Sequence, residues 1–145
     1  MRRFNQQLGI VVIACILLVF LSPDDSTGQS EKQELGHVPV LRQALSDPEL
    51  EGYELYSKVL EVPPAFTDTV AHRHDAELFG YVLDGSVKIK LKGKPEAIFQ
   101  QGEMFNEPRN ILHTLLQNME EKRMSRILLF YIIKEGRSDY QKEYN

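Results

Sequence analysis

The chain has 145 residues, 42% hydrophobic and 26% charged, with a formal net charge of −4. That length suits one domain, and the mild acidity argues against an electrostatic grip on nucleic acid. The sequence shows no internal repeat and no low-complexity tract.

Residues 1–28 read as a targeting segment. Arg2 and Arg3 make a basic start, and residues 8–21 form an uncharged, mainly apolar run too short for a typical membrane span. A polar stretch, 22–28, follows, with small residues at Ser26 and Gly28 that suit cleavage before Gln29. Two alternatives stay open: an uncleaved anchor through residues 8–21, and lipidation at Cys15, since Val12-Ile13-Ala14-Cys15 looks like a bacterial lipoprotein box. Cleavage takes away Arg2, Arg3, Asp24 and Asp25 and leaves the net charge at −4. It also takes away the only cysteine, which excludes disulfides, thiolate ligation and cysteine nucleophiles in the mature chain. The expected location is periplasmic or secreted, with no stable membrane insertion once the signal is removed.

Residues 29–37 read as a polar linker, with His37 a solvated loop residue. Residues 38–41 read as an edge strand, because Pro39 lacks a ladder donor. Residues 46–52 read as loop. Residues 53–62 form a long strand with apolar residues on both parities, so one face meets the interior and the other a second sheet or a partner chain. Pro63-Pro64 ends it.

Residues 78–83 and 86–91 read as a hairpin around Asp84-Gly85, with Val87, Ile89 and Leu91 inward and Lys88 and Lys90 outward. Short strands follow at 97–99, 113–116 and 125–133. Phe105 and Tyr81 are candidates to face the interior, and residues 136–145 read as a polar tail outside the 38–135 domain. Many short strands, frequent turn signals and no convincing helix predict an all-β sandwich or barrel.

The chemistry-bearing residues are His72, His74 and His113. Two histidines one residue apart share a face of an extended chain, and imidazole suits Zn, Cu, Fe and Ni. The run His72-x-His74, then Glu77, then Tyr81-Val82-Leu83-Asp84-Gly85, with Gly102-Glu103-Met104-Phe105-Asn106-Glu107-Pro108, His113 and Asn118 behind it, resembles the two motifs of the cupin superfamily. Within it, the chain resembles small single-domain cupins that carry a Gly-Glu-x-Phe-x-Glu-Pro run before the last histidine. The resemblance implies a jelly-roll β-barrel and a divalent metal (Zn, Fe, Mn, Ni or Cu) on His72, His74 and His113.

The glutamate of the family pattern fits less well. Only two residues separate His74 from Glu77, and Leu78 stands where the carboxylate would fall. With the histidines inward, strand parity turns Ala76 and Leu78 inward and Glu77 outward. A bulge near Asp75 or Gly80 would rotate Glu77 back, so it is the candidate fourth ligand. Asp75 and Leu78 are not expected to coordinate. Glu103 reads as turn chemistry, and Glu107 as a residue that lines or braces the barrel mouth. Two functions follow: a metal-dependent oxygenase or isomerase acting on a small molecule, or a non-catalytic module that binds a small ligand or a metal. The two-sided strand 53–62 is compatible with a homodimer.

Overall fold

The structure is a computed structural model that describes residues 33–144; the signal-segment reading of residues 1–28 and most of the linker lie outside them. Eleven strands follow in order: β1 (Gly36–Ala44), β2 (Tyr53–Val62), β3 (Thr67–Asp68), β4 (His72–Arg73), β5 (Glu77–Asp84), β6 (Ser86–Leu91), β7 (Ala97–Gln100), β8 (Met104–Glu107), β9 (His113–Asn118), β10 (Ser125–Lys134) and β11 (Gln141–Lys142). One 3₁₀ turn, Pro48–Leu50, is capped by the Asp47 side chain. Two antiparallel sheets result, ordered β1-β2-β10-β5-β8 and β11-β4-β9-β6-β7, with β3 also on β9. This is the all-β jelly-roll barrel the sequence predicts. Among the described residues no helix is long and apolar enough to cross a membrane.

Alternation makes the interior. On β10, Ile127, Leu129, Tyr131 and Ile133 turn inward; on β6, Val87, Ile89 and Leu91 do so, while Lys88 and Lys90 turn away. These join Leu60, Val62, Leu78, Val82, Phe105 and Leu116 in one apolar core drawn from both sheets. A buried side chain of this size contributes about 1.5–3 kcal/mol by leaving water, so the core is ample for a domain without cysteine. Asn118 stitches one end. Its amide donates to the carbonyls of Val62, Pro63 and Arg123, and its carbonyl accepts from Ser125 Oγ and the Glu120 amide.

Four expectations need correction. The segments around Asp84-Gly85 are not a hairpin: β5 lies in the first sheet between β10 and β8, and β6 in the second between β9 and β7. Gly85 still takes positive φ (77°), but the turn carries the chain from one sheet to the other and packs on Ser125. The polar stretch after residue 135 is not outside the domain, because β11 within it pairs with β4. Nor is residue 36 or 37 linker, since β1 already pairs Gly36 with Glu61 and His37 with Leu60. Tyr81 faces outward, opposite Met104 and Leu128, whereas Phe105 faces the interior.

Candidate metal centre

His72 lies in β4 directly opposite His113, the first residue of β9. Cross-strand partners share a face, so the two imidazoles stack, centroids 4.8 Å apart at 28°. His74, two residues on, returns to the same side and meets His72 edge-on, centroids 4.9 Å apart. All three are buried. One ring nitrogen from each lies within 4.8 Å of those of the other two, the one such group of metal-capable side chains among the described residues.

The other ring nitrogens are held from behind. His72 Nδ1 donates to the Val70 carbonyl (2.8 Å), His74 Nδ1 to the Asp139 carbonyl, and His113 Nε2 to the Leu115 carbonyl (2.6 Å). A carbonyl only accepts, so those nitrogens carry the protons. Nε2 of His72, Nε2 of His74 and Nδ1 of His113 are left to face inward. Backbone partners of this kind fix ring orientation and tautomer at metal sites. Burial is the largest influence on His72 and His74 and lowers both, which favours the neutral, ligating form. Burial acts the same way on His113, but the Glu107 carboxylate outweighs it and raises its pKa.

Glu77 keeps the outward place that strand parity gives it, and Glu107 stands where a bulge would have brought Glu77. The register of β5 against β10 is regular from Glu77 to Val82, with no bulge to rotate Glu77. Its side chain stays on the exposed outer face and accepts from the Arg109 amide at 3.2 Å. Glu77 is therefore not beside the histidines. Glu107 is: it is 3% exposed, with carboxylate oxygens 3.1 Å from His113 Nδ1 and 3.7 Å from His74 Nε2. Burial would raise its pKa, but the hydrogen bond and charge of His113 prevail and hold it below the usual carboxylate range. Asp75 pairs with Arg109 and Arg137, and Glu103 accepts from the Gln100 amide within its turn.

The site opens into a cavity of about 370 Å³. Its floor is apolar, built from Leu60, Leu78, Ile89, Phe105, Ile127 and Leu129. Polar groups gather on one side: Lys58, ion-paired with Asp139 at 3.3 Å and set over the rings of Tyr56 and Tyr131, and the Tyr131 phenol. Burial first, then the Asp139 and Glu107 carboxylates, raise the Tyr131 pKa, so the phenol stays protonated and able to donate. His37 sits in strand β1 and lines the same cavity, which corrects its reading as a loop residue; burial and Lys58 lower its pKa.

The C-terminal segment forms one wall. Tyr140 stacks on His72 (4.6 Å, 27°), the Asp75 amide donates to the Ser138 carbonyl, and Arg73 pairs with Glu143. Sequence reasoning missed Lys58, Tyr131 and this wall. Alternation in β2 and β10 carried a usable signal for the first two, since Lys58 shares parity with Leu60, and Tyr131 with Leu129. Glu107 was legible too, two residues beyond inward-facing Phe105 in an extended run.

The profile of the cupin domain family matches residues 58–131, just over half of the chain. No curated protein matches the sequence. Among solved structures, similar folds include an uncharacterised protein with a double-stranded β-helix domain from Klebsiella pneumoniae (10% identity, TM-score 0.59, 79% of this chain and 88% of that one). The Cnp3 cupin domain of Schizosaccharomyces pombe is another (14%, TM-score 0.55, 71% and 67%). A third is the DMSP lyase DddQ of Ruegeria pomeroyi (19%, TM-score 0.51, 58% and 41%). At these identities the likeness is one of fold.

Proposed function

The chain belongs to the cupin domain family, and on that premise we propose that it binds a divalent metal through His72, His74 and His113 and presents it to a small molecule in the barrel cavity. The observation that carries this reading is the set of three buried imidazoles, one ring nitrogen of each within 4.8 Å of the others, with a main-chain carbonyl holding every ring. The donor set fits a first-row metal: three borderline nitrogens, with no thiolate and no cage of hard oxygens. A bound ion of this class supplies Lewis acidity or, for a redox metal, a place for O₂. The protein's own contribution is an apolar floor that excludes water and two groups, Lys58 and the Tyr131 phenol, that orient a ligand's polar end.

Proteins of this family bind small-molecule ligands or substrates. Metal-dependent oxygenation or isomerisation and plain ligand capture are the two uses the cavity supports. The test is metal content of protein purified without a His tag, wild type against His113→Ala, followed by an O₂-uptake screen on the metal-loaded form. Stoichiometric metal in both proteins sinks the three-histidine reading.

Two further parts of the proposal rest on other observations. The basic start and apolar run of residues 1–28 support export, and protein recovered outside the cytoplasm should begin near Gln29. The outer face of the first sheet gathers Val38, Tyr81, Met104, Leu128 and Phe130, which supports pairing of two copies; light scattering at micromolar concentration should read a dimer mass.

A further inference from the structure

We propose that Glu107, not Glu77, completes this centre as its fourth ligand, an inference that rests on the three-histidine reading above. The argument begins with distance. Two donors each about 2.1 Å from one ion lie roughly 3.0 Å apart at right angles and roughly 4.2 Å apart when opposed. The Glu107 carboxylate is 3.1 Å from His113 Nδ1 and 3.7 Å from His74 Nε2, both inside that range. The group whose ligand atoms all lie within 4.8 Å of one another holds the three histidines without it, so binding has to draw the carboxylate inward to share an ion with all three. Those two nitrogens are the ones left facing inward once Leu115 and Asp139 hold the others. Glu77 has no such relation to any of the three rings.

Charge gives a second reason. A buried carboxylate is normally paired or bound to a metal. Among the described residues Glu107 makes no ion pair with Lys or Arg, and its polar neighbours are His74 and His113. Lys58, the cation on the cavity wall, is taken by Asp139. One carboxylate among three neutral imidazoles matches a divalent cation and leaves a single positive charge to meet a ligand. The mixed nitrogen and oxygen set also favours Zn, Fe, Mn, Co or Ni over Ca or Mg, which take oxygen alone.

The fold explains why a carboxylate of the second motif, and not Glu77, stands beside the histidines. Leu78 and Glu107 are register partners across β5 and β8, so both turn inward together while Glu77 turns out. Glu107 thereby reaches the side of the histidines from the neighbouring strand.

Co²⁺ is the probe, because its visible absorption reports the number and type of donors. Wild type, Glu107→Gln, Glu107→Asp and Glu77→Gln are stripped with chelator, checked for a strand-dominated circular dichroism spectrum, and titrated with Co²⁺. Wild type and Glu77→Gln should take up one ion with identical bands. Glu107→Gln should bind about 100-fold more weakly or worse, with shifted bands, and the Asp variant, one methylene shorter, should shift them less. It also keeps the test alive if Gln fails to fold. Weaker binding with wild-type bands in Glu107→Gln would overturn the inference and leave Glu107 a hydrogen-bond partner of His113, since such partners alone cost 10–100-fold. Altered bands in Glu77→Gln would also overturn it. Absence of uptake by wild type would overturn the three-histidine reading itself.

Discussion

The Glu107 carboxylate and the His113 imidazole meet 3.1 Å apart inside the barrel, both almost wholly withdrawn from water. Each shifts the other toward its charged form, Glu107 downward from 4.5 and His113 upward from 6.5, against the opposing effect of burial.

That pairing predicts a pH window for the metal-stripped protein. A lowered carboxylate stabilises the fold above its unfolded value of 4.5, and the gain is lost as pH falls through the folded value. A raised imidazole stabilises below its unfolded value of 6.5, and the gain is lost as pH rises through the folded value. The stability gap between wild type and Glu107→Gln should therefore be widest between 4.5 and 6.5 and narrow on both sides. Breaking a buried pair costs about 3–5 kcal/mol. Imidazole can shed its proton, so about 1–3 kcal/mol is expected here. Urea denaturation at several pH values measures it; a gap that grows steadily to pH 9 contradicts the pairing.

The C-terminal wall should matter to metal and little to fold. Deleting residues 137–145 removes the Asp139 carbonyl behind His74 and the Tyr140 ring on His72; it cuts into none of the long strands, and from β2 it takes the Lys58–Asp139 ion pair and the Arg137–Tyr53 contact. Loss of such outer partners typically weakens a metal site 10–100-fold. Zn²⁺ competition against a coloured chelator should show that loss while circular dichroism stays strand-like. Unchanged affinity would mean that the histidines orient themselves.

Gly80 is a packing requirement. A Cβ there would stand 2.1 Å from Phe105 Cζ, its partner across β5 and β8. Gly80→Ala must displace the ring into the cavity, and overpacking of this kind costs about 1–3 kcal/mol. The melting temperature should fall by several degrees. The same change in a Phe105→Leu background should cost less; an equal cost would place the strain elsewhere.

Asn118 belongs to the second motif, yet its work is structural. Asn118→Ala takes the side-chain donor from the Val62 and Arg123 carbonyls and the acceptor from the Glu120 amide at a buried corner, while Pro63 keeps the Phe66 amide and Ser125 keeps Ser86. Each orphaned buried group costs about 1–3 kcal/mol. A loss of about 3 kcal/mol or more is expected in urea, with metal stoichiometry unchanged at the temperature where the variant is still folded.

The sequence made the strands readable wherever apolar residues alternate, as in β2, β6 and β10, and parity alone turned Glu77 outward. What it hid was partnership. Asp84-Gly85 has the same composition whether it closes a hairpin or passes between sheets, because the turn's φ requirement is local and the choice of neighbouring strand is not. The tail was hidden for a related reason: two-residue β11 has no period to detect, and its hold comes from β4, nearly seventy residues earlier, and from the Arg73–Glu143 ion pair. Glu107 shows a signal present but unread, since the parity that turned Phe105 inward turned Glu107 inward with it.

Strand β10 lies in the middle of the first sheet, between β2 and β5, although it is the last long strand of the described chain. Synthesis from the amino terminus makes β2 and β5 well before their common neighbour exists. Until residues 125–134 leave the ribosome, each presents a bare row of amide and carbonyl groups, and the four inward side chains that β10 brings to the core are missing. The domain can close only in a late, concerted event that joins segments far apart in the chain. A nascent chain stalled before Ser125 would offer two open templates to its neighbours, which makes that interval the one in which a chaperone has most to do.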